Sequence, residues 1–153
     1  LPEAEFIQTF LHELVKCSER ICHQKVAVGA VEEHSPQVDD LPFVGLLALE
    51  DKPLAYFGVA LDASQAHKIT LNIGYSDEAD TTSEDVADIA GTREFVRLAA
   101  ESACQKINTG AKQFSIVGAF NVREGERLPS SNNMISVEMV TEQSGFKALF
   151  LTQ

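Results

Sequence analysis

Two apolar segments near the middle of the chain constrain its fold most strongly. They cover residues 43–50 and 54–62, and only Asp51-Lys52-Pro53 separates them. Both are apolar at successive positions, which is typical of strands that are buried on both faces. Because the connection between them is so short, the two strands are expected to pair antiparallel. The sequence therefore predicts a β-hairpin in the interior of a sheet.

Helical periodicity marks three further segments. Apolar residues recur every three or four positions over residues 2–21, which predicts a first helix. Asp62 followed by Gln65 resembles a capping box, so a second helix is predicted from there to about residue 73, ended by Gly74. The third and longest helix is predicted over 83–107, with Ser83 or Thr82 as its N-cap.

Four more segments have the composition of strands. In one of them Ile135, Val137 and Met139 alternate with Ser136 and Glu138, which predicts a strand with one face in water. The predicted strands besides the hairpin cover residues 25–32, 113–122, 134–141 and 146–151.

The order of these elements indicates an α+β fold in a single domain spanning residues 1–153. We expect a mostly antiparallel sheet of about six strands with about three helices on one face. A helix followed by three strands occurs twice along the chain, which makes an internal structural repeat plausible, although no residue-level repeat supports it.

Charge and cysteine content exclude several classes of function. The 153 residues include 12 Lys or Arg against 23 Asp or Glu, for a net charge of −11. Nucleic acids and anionic membrane surfaces are bound by clustered cations, so neither is expected as a partner. No stretch approaches the ~20 apolar residues that a membrane span needs. Three cysteines in a chain of this length do not indicate a disulfide framework, and we expect a reduced, cytoplasmic protein.

No pattern in the chain predicts a metal or a cofactor. His12, Cys17, Cys22 and His23 lie close in sequence, but their spacing matches no known ligand pairing. The acidic stretch 77–85 lacks the glycine and the ligand spacing of a calcium-binding loop. Glycine-rich phosphate-binding motifs and the nucleophile motif of serine hydrolases are also absent.

The third predicted helix carries a row of polar side chains on one face. At 3.6 residues per turn, Glu94, Arg97, Glu101 and Gln105 lie on the same side. Such a row is suited to meeting a partner protein. The alternative is a set of ordinary surface ion pairs, because Glu94 and Glu101 lie three residues before and four residues after Arg97. Each such pair contributes only about 0.3–0.5 kcal/mol.

The element order and the third helix together resemble the CheX/CheC family of chemotaxis phosphatases, over nearly the whole chain. The apolar hairpin resembles the central strand pair of that family. Glu84-Asp85-Val86-Ala87-Asp88-Ile89-Ala90 resembles the entry to its active helix. The family motif, Glu-x-x-Asn followed by small residues, corresponds to Glu94-Phe95-Val96-Arg97 in this chain.

The resemblance implies a protein that binds the receiver domain of a response regulator and forms a homodimer. In the family, the glutamate anchors the receiver and the asparagine holds the water that attacks the aspartyl phosphate. Here Glu94 matches the glutamate, Arg97 stands in place of the asparagine, and Glu101 in place of a glycine. Glu-x-x-Asn occurs nowhere else in the chain.

Three hypotheses about function follow. In the first, the face with Glu94, Arg97, Glu101 and Gln105 binds a receiver domain without efficient hydrolysis, because arginine has no hydrogen-bond acceptor for the attacking water. In the second, the protein is an active phosphatase in which Glu94 anchors the receiver and Arg97 stabilises phosphoryl charge. In the third, the domain is a structural module that dimerises through a strand edge.

Overall fold

The structure is a computed structural model that describes residues 2–34, 43–49, 54–74, 84–107, 116–122, 133–142 and 145–152. Its helices are α1 (Pro2–Cys22), α2 (Ala63–Ile73) and α3 (Glu84–Ile107). Its strands are β1 (Ala27–His34), β2 (Phe43–Leu49), β3 (Leu54–Leu61), β4 (Ile116–Val122), β5 (Asn133–Val140) and β6 (Gly145–Thr152). The predicted element order is confirmed.

The termini of α2 follow from local chemistry. The backbone N–H of Gln65 donates to the Asp62 carboxylate at 2.8 Å, which satisfies a donor that the first turn of a helix leaves without a partner. Gly74 ends the helix with φ at 99°, in the left-handed region that glycine adopts without steric cost. Both caps were predicted. The predicted caps of α3, Thr82 and Ser83, lie outside the described residues.

The six strands form one antiparallel sheet in the order β1-β5-β6-β3-β2-β4. If β1, β2 and β3 are exchanged with β4, β5 and β6, this order simply reverses. Because α1 precedes the first three strands and α3 precedes the last three, the two halves are related by a pseudo-twofold arrangement. The helix-and-three-strand repeat in the sequence therefore corresponds to a repeat in topology.

The main core lies between the helices and one face of the sheet. Phe10 of α1 is fully buried and packs edge-on against two strand residues, Phe57 at 4.4 Å and Phe150 at 5.3 Å between ring centroids. Helix α3 adds Phe95, which packs edge-on against Phe146 of β6 at 6.1 Å. These aromatic contacts join each long helix to the central strands and fix the helix layer on the sheet.

Strand side chains on the opposite face form a second buried cluster, which includes Leu46, Leu149 and Leu151. This confirms that the β2-β3 hairpin is apolar on both faces. It also corrects one prediction about β5: Ser136 is only 3% exposed, because it lies on the face that holds this second cluster. Only Glu138 and Val140 of that face of β5 are exposed.

Candidate functional site

The rotation of α3 about its axis is set by three close contacts. A side-chain carbon added at Gly91 would come within 2.1 Å of Thr70 Oγ1, so α2 and α3 cross where Gly91 provides the space. Thr92 and Val96 are fully buried and lie over Gly45 of β2, where an added carbon would meet them at 3.1 and 3.2 Å. With these residues fixed inward, the positions on the other side of the helix face outward.

Three of the four predicted site residues are brought together on that outward side. Arg97 donates from Nε to Glu94 Oε1 at 2.7 Å and from Nη2 to Glu94 Oε2, a two-point contact with one carboxylate. Its Nη1 donates to Glu101 Oε1 at 2.5 Å. Gln105 is exposed on the same side, one turn beyond Glu101. The sequence spacing permitted either ion pair; the structure has both at once.

The three charged side chains differ in how far they reach solvent. The side chain of Glu94 is 21% exposed, that of Arg97 is 40% exposed and that of Glu101 is 49% exposed. Because one guanidinium serves two carboxylates, the group carries a net charge of −1. The two hydrogen bonds to Glu94 are the main reason that the pKa of Arg97 lies above its usual range, and the hydrogen bond to Glu101 raises it further. Arg97 is therefore a permanent cation.

This arrangement limits what the site can do chemically. Both oxygens of Glu94 already accept hydrogen bonds from Arg97, and three of the five N–H groups of the guanidinium are in use. Within the described ranges, no asparagine or glutamine side chain hydrogen-bonds to the Glu94 carboxylate. The face therefore offers ionic contacts to a partner, and none of its charged side chains both donates to and accepts from a water molecule. Its carboxamide, Gln105, lies three turns along α3 from Glu94, about 16 Å away.

An ion pair and a histidine–carboxylate contact, neither of them predicted from the sequence, join α3 to its neighbours. Glu13 of α1, whose side chain is 6% exposed, accepts a hydrogen bond from Lys106 and lies 3.8 Å from Lys16. At the other end of α3, Asp88 lies 3.4 Å from His67 of α2. No periodicity in the sequence points to these pairs, because each joins residues on different helices.

The cysteines and histidines near the end of α1 form no site in the structure. All three cysteines are free thiols, with Cys17 and Cys104 buried. Burial raises the pKa of Cys17 and of Cys22, so neither is activated as a nucleophile. Among the described residues, no three His, Cys, Asp or Glu side chains are grouped as metal ligands would be.

No helix in the described ranges combines the length and apolarity that crossing a bilayer requires.

Comparison with known proteins identifies the fold. No protein-family model matches the sequence, and no curated protein matches it significantly. Solved structures do match. A CheC-like superfamily protein from Shewanella sp. PV-4 is 12% identical, with a TM-score of 0.74 and 97% of each chain covered. The chemotaxis protein CheX from Desulfovibrio desulfuricans is 11% identical, with a TM-score of 0.73, covering 97% of this chain and 99% of its own.

A third match was solved as a complex. CheX from Borrelia burgdorferi, in a CheX-CheY-BeF3-Mg complex, is 12% identical with a TM-score of 0.66, and 96% of each chain is covered. Identities this low show a shared fold and do not transfer an activity. Because the matches cover nearly the whole chain, the likeness extends to the order and arrangement of all the elements described above.

Proposed function

This chain has the CheX/CheC-like fold, and on that premise we propose that it is a divergent member of that family. In this proposal it is a cytoplasmic signalling domain that binds the receiver domain of a response regulator. The contact face is the outward side of α3 with Glu94, Arg97, Glu101 and Gln105. Efficient phosphatase activity is not expected of it.

Two observations support receiver binding through α3. The CheX protein from Borrelia burgdorferi, which shares the fold, was solved with CheY, so a protein of this architecture can hold a response regulator. In this chain the charged row lies on the one helix whose sequence resembles the active helix of the family. The exposed fractions of Arg97 and Glu101, 40% and 49%, leave both side chains within reach of a docking partner.

The observation that carries the proposal is the pairing of Arg97 with Glu94 and Glu101. In-line hydrolysis of an acyl phosphate needs a water held by both a donor and an acceptor, as a carboxamide provides. A guanidinium only donates, and this one is already shared between two carboxylates. In this proposal the chain keeps the fold and the charged side chains that bind a receiver, but has Arg97 in the position where a carboxamide would orient the water.

A phosphorylated receiver provides the test. We expect the protein to bind a receiver charged with acetyl phosphate and to leave its rate of phosphate release unchanged. The Glu94→Ala variant should bind more weakly, since it removes one of the two carboxylates of the charged row and frees Arg97 from its two-point contact. Clear acceleration of phosphate release by the native protein, lost in an Arg97→Ala variant, would refute this proposal and support an active phosphatase that uses Glu94 and Arg97.

A second candidate, self-association, is favoured by the exposed edge of the sheet. Val31 and Val28 of β1 are 63% and 48% exposed, although their partners on β5, Val137 and Met139, are buried on the same face. The helix layer therefore stops short of β1, which is the end strand of the described sheet. We propose that a second copy pairs with this edge and covers both valines.

Light scattering on matched variants tests the dimer. Val31→Lys should shift the mass toward that of a monomer, because it places a charge in the proposed contact. Leu71→Lys is the control, since Leu71 is 51% exposed but belongs to α2 and not to the edge strand. A native monomer, or equal effects of the two substitutions, would exclude dimerisation through β1.

A further inference from the structure

The part of α1 from Gln8 onward, the residues up to Lys25 and α2 together have a charge opposite to that of the protein as a whole, whereas Glu3 and Glu5 make the start of α1 acidic. Residues 8–25 and 63–74 contain four Lys or Arg, against two Glu and no Asp. These two ranges carry a net charge of +2. All other residues together carry −13, and the two values add up to the net charge of −11. Helix α2 contains no acidic residue at all.

The cations on this surface project into solvent. Lys16 and Arg20 are both exposed and lie four residues apart, which places them in one row along α1, and the exposed side chain of His12 precedes them at the same interval. The side chain of Lys16 is 55% exposed. Lys25 is exposed just after the helix ends. The row therefore runs along the second half of α1 and past its C-terminus.

Three acidic residues close to these cations are held by structural contacts. Glu13 is almost fully buried and is shared by Lys106 and Lys16, so the group of three keeps a net charge of +1. Glu19 is half-buried and accepts a hydrogen bond from the backbone N–H of Val26 at 3.0 Å. Asp62 caps the first turn of α2. These carboxylates are turned to internal contacts, so the charges that project into solvent from the second half of α1 are positive, whereas Glu5 is exposed in its first half.

From this asymmetry we infer that the outer surface of α1, centred on Lys16 and Arg20 and extended by Lys106, is a docking surface for a carboxylate-rich surface of a partner protein. Screening limits each charge to a range of about 8 Å at physiological ionic strength, so a compact acidic surface experiences the local cations rather than the net −11. A long polyanion extends beyond these cations and also meets the rest of the chain, whose net charge is strongly negative. The chemistry therefore favours a protein partner over a nucleic acid or an anionic membrane.

This surface is separate from the charged row of α3. Lys106 faces α1 through its bond to Glu13. Successive residues are about 100° apart around a helix, so Glu101 lies about 140° from Lys106 around the α3 axis. A partner on the α1 surface therefore uses different side chains from a receiver bound at Glu94, Arg97 and Glu101. Binding at either surface can be tested without the other.

The test uses the full chain, labelled with 15N, and a six-residue oligoglutamate peptide as the probe, which at about 20 Å when extended is short enough to stay within the surface. At low salt we expect backbone amide shifts to concentrate in residues 8–25 and near Lys106. The dissociation constant should rise about tenfold or more between 20 and 200 mM NaCl, as expected for contacts between exposed charges. Lys16→Glu and Arg20→Glu should each weaken binding about three- to tenfold.

Arg93→Glu is the matched control, because Arg93 is also an exposed helical cation and the substitution changes the net charge by the same amount. It should weaken binding less than about twofold. Lys16→Gln removes the charge without adding a repulsive one beside Glu13, and serves if Lys16→Glu fails to fold by circular dichroism.

Three results would overturn the inference. One is no binding of the peptide at 20 mM NaCl. Another is an equal loss of affinity in the Lys16, Arg20 and Arg93 variants, which would mean that only net charge matters. The third is a short DNA duplex or a phosphatidylserine vesicle that binds the same residues as tightly as the peptide does, because the surface would then recognise polyanions in general.

Discussion

Replacing Arg97 with asparagine should turn the proposed docking face of α3 into a hydrolytic one. The substitution removes the contacts to Glu94 and Glu101, which span three and four residues on an exposed helix face and together contribute about 1 kcal/mol or less. The lower helix propensity of asparagine costs a few tenths of a kcal/mol more. Against a folding stability of about 5–15 kcal/mol, Arg97→Asn should remain folded.

The gain in rate follows from what the new side chain offers. A carboxamide both donates and accepts, and the Glu94 carboxylate, relieved of the guanidinium, becomes available to a cation on the receiver. One positioned polar group in an active site is typically worth about 10²-fold or more in rate. Allowing for imperfect placement, we expect phosphate release from a charged receiver to rise at least about tenfold.

The assay is release of inorganic phosphate from an acetyl-phosphate-charged receiver, with native protein, Arg97→Asn and Arg97→Ala compared at equal concentration. The alanine variant removes the guanidinium without supplying an amide, so it should give no acceleration. Suppose that Arg97→Asn is folded and binds the receiver but does not accelerate release. Then Arg97 is not what prevents hydrolysis, and the proposal that a missing carboxamide prevents it is refuted.

Further predictions concern packing, capping and thiol chemistry. Phe10→Ala removes a fully buried ring that packs on two others, so the free energy of unfolding measured with denaturant should fall by about 3–5 kcal/mol. The control is His12→Ala at an exposed position of the same helix, which should lower the free energy of unfolding by less than about 0.5 kcal/mol. Asp62→Ala removes the cap of α2 and should cost about 1 kcal/mol in the same measurement; no loss would mean that the cap bond does not matter. Burial, with a smaller contribution from Glu101, raises the pKa of Cys104 to about 11, so at pH 8 it stays a thiol. A thiol reagent should therefore label Cys104 at pH 8 far more slowly in the native than in the denatured protein, and similar rates would contradict its burial.

Much of the secondary structure could be read from the sequence because its causes are local. The apolar spacing of α1, the Asp62 cap and the Gly74 stop depend on residues within one or two turns of each other. Where the described helices and strands differ from the predicted ones, they differ in their first or last residues. The strand predicted over 25–32 occupies Ala27–His34, because pairing with β5 continues as far as His34 and Met134. Ser136 was misassigned to water because the second cluster that buries it is assembled from several strands.

The sequence by itself determined the kinds of element, the order in which they occur, and the row on α3 that carries Glu94, Arg97, Glu101 and Gln105. Only the tertiary structure decided that β1 pairs with β5, more than a hundred residues away, since apolar alternation specifies a face and not a partner. It also decided that one guanidinium holds both carboxylates of the row, and that Glu13, Glu19 and Asp62 are turned to internal contacts. Such facts depend on where side chains of separate elements meet in space, and no local pattern in a chain records that.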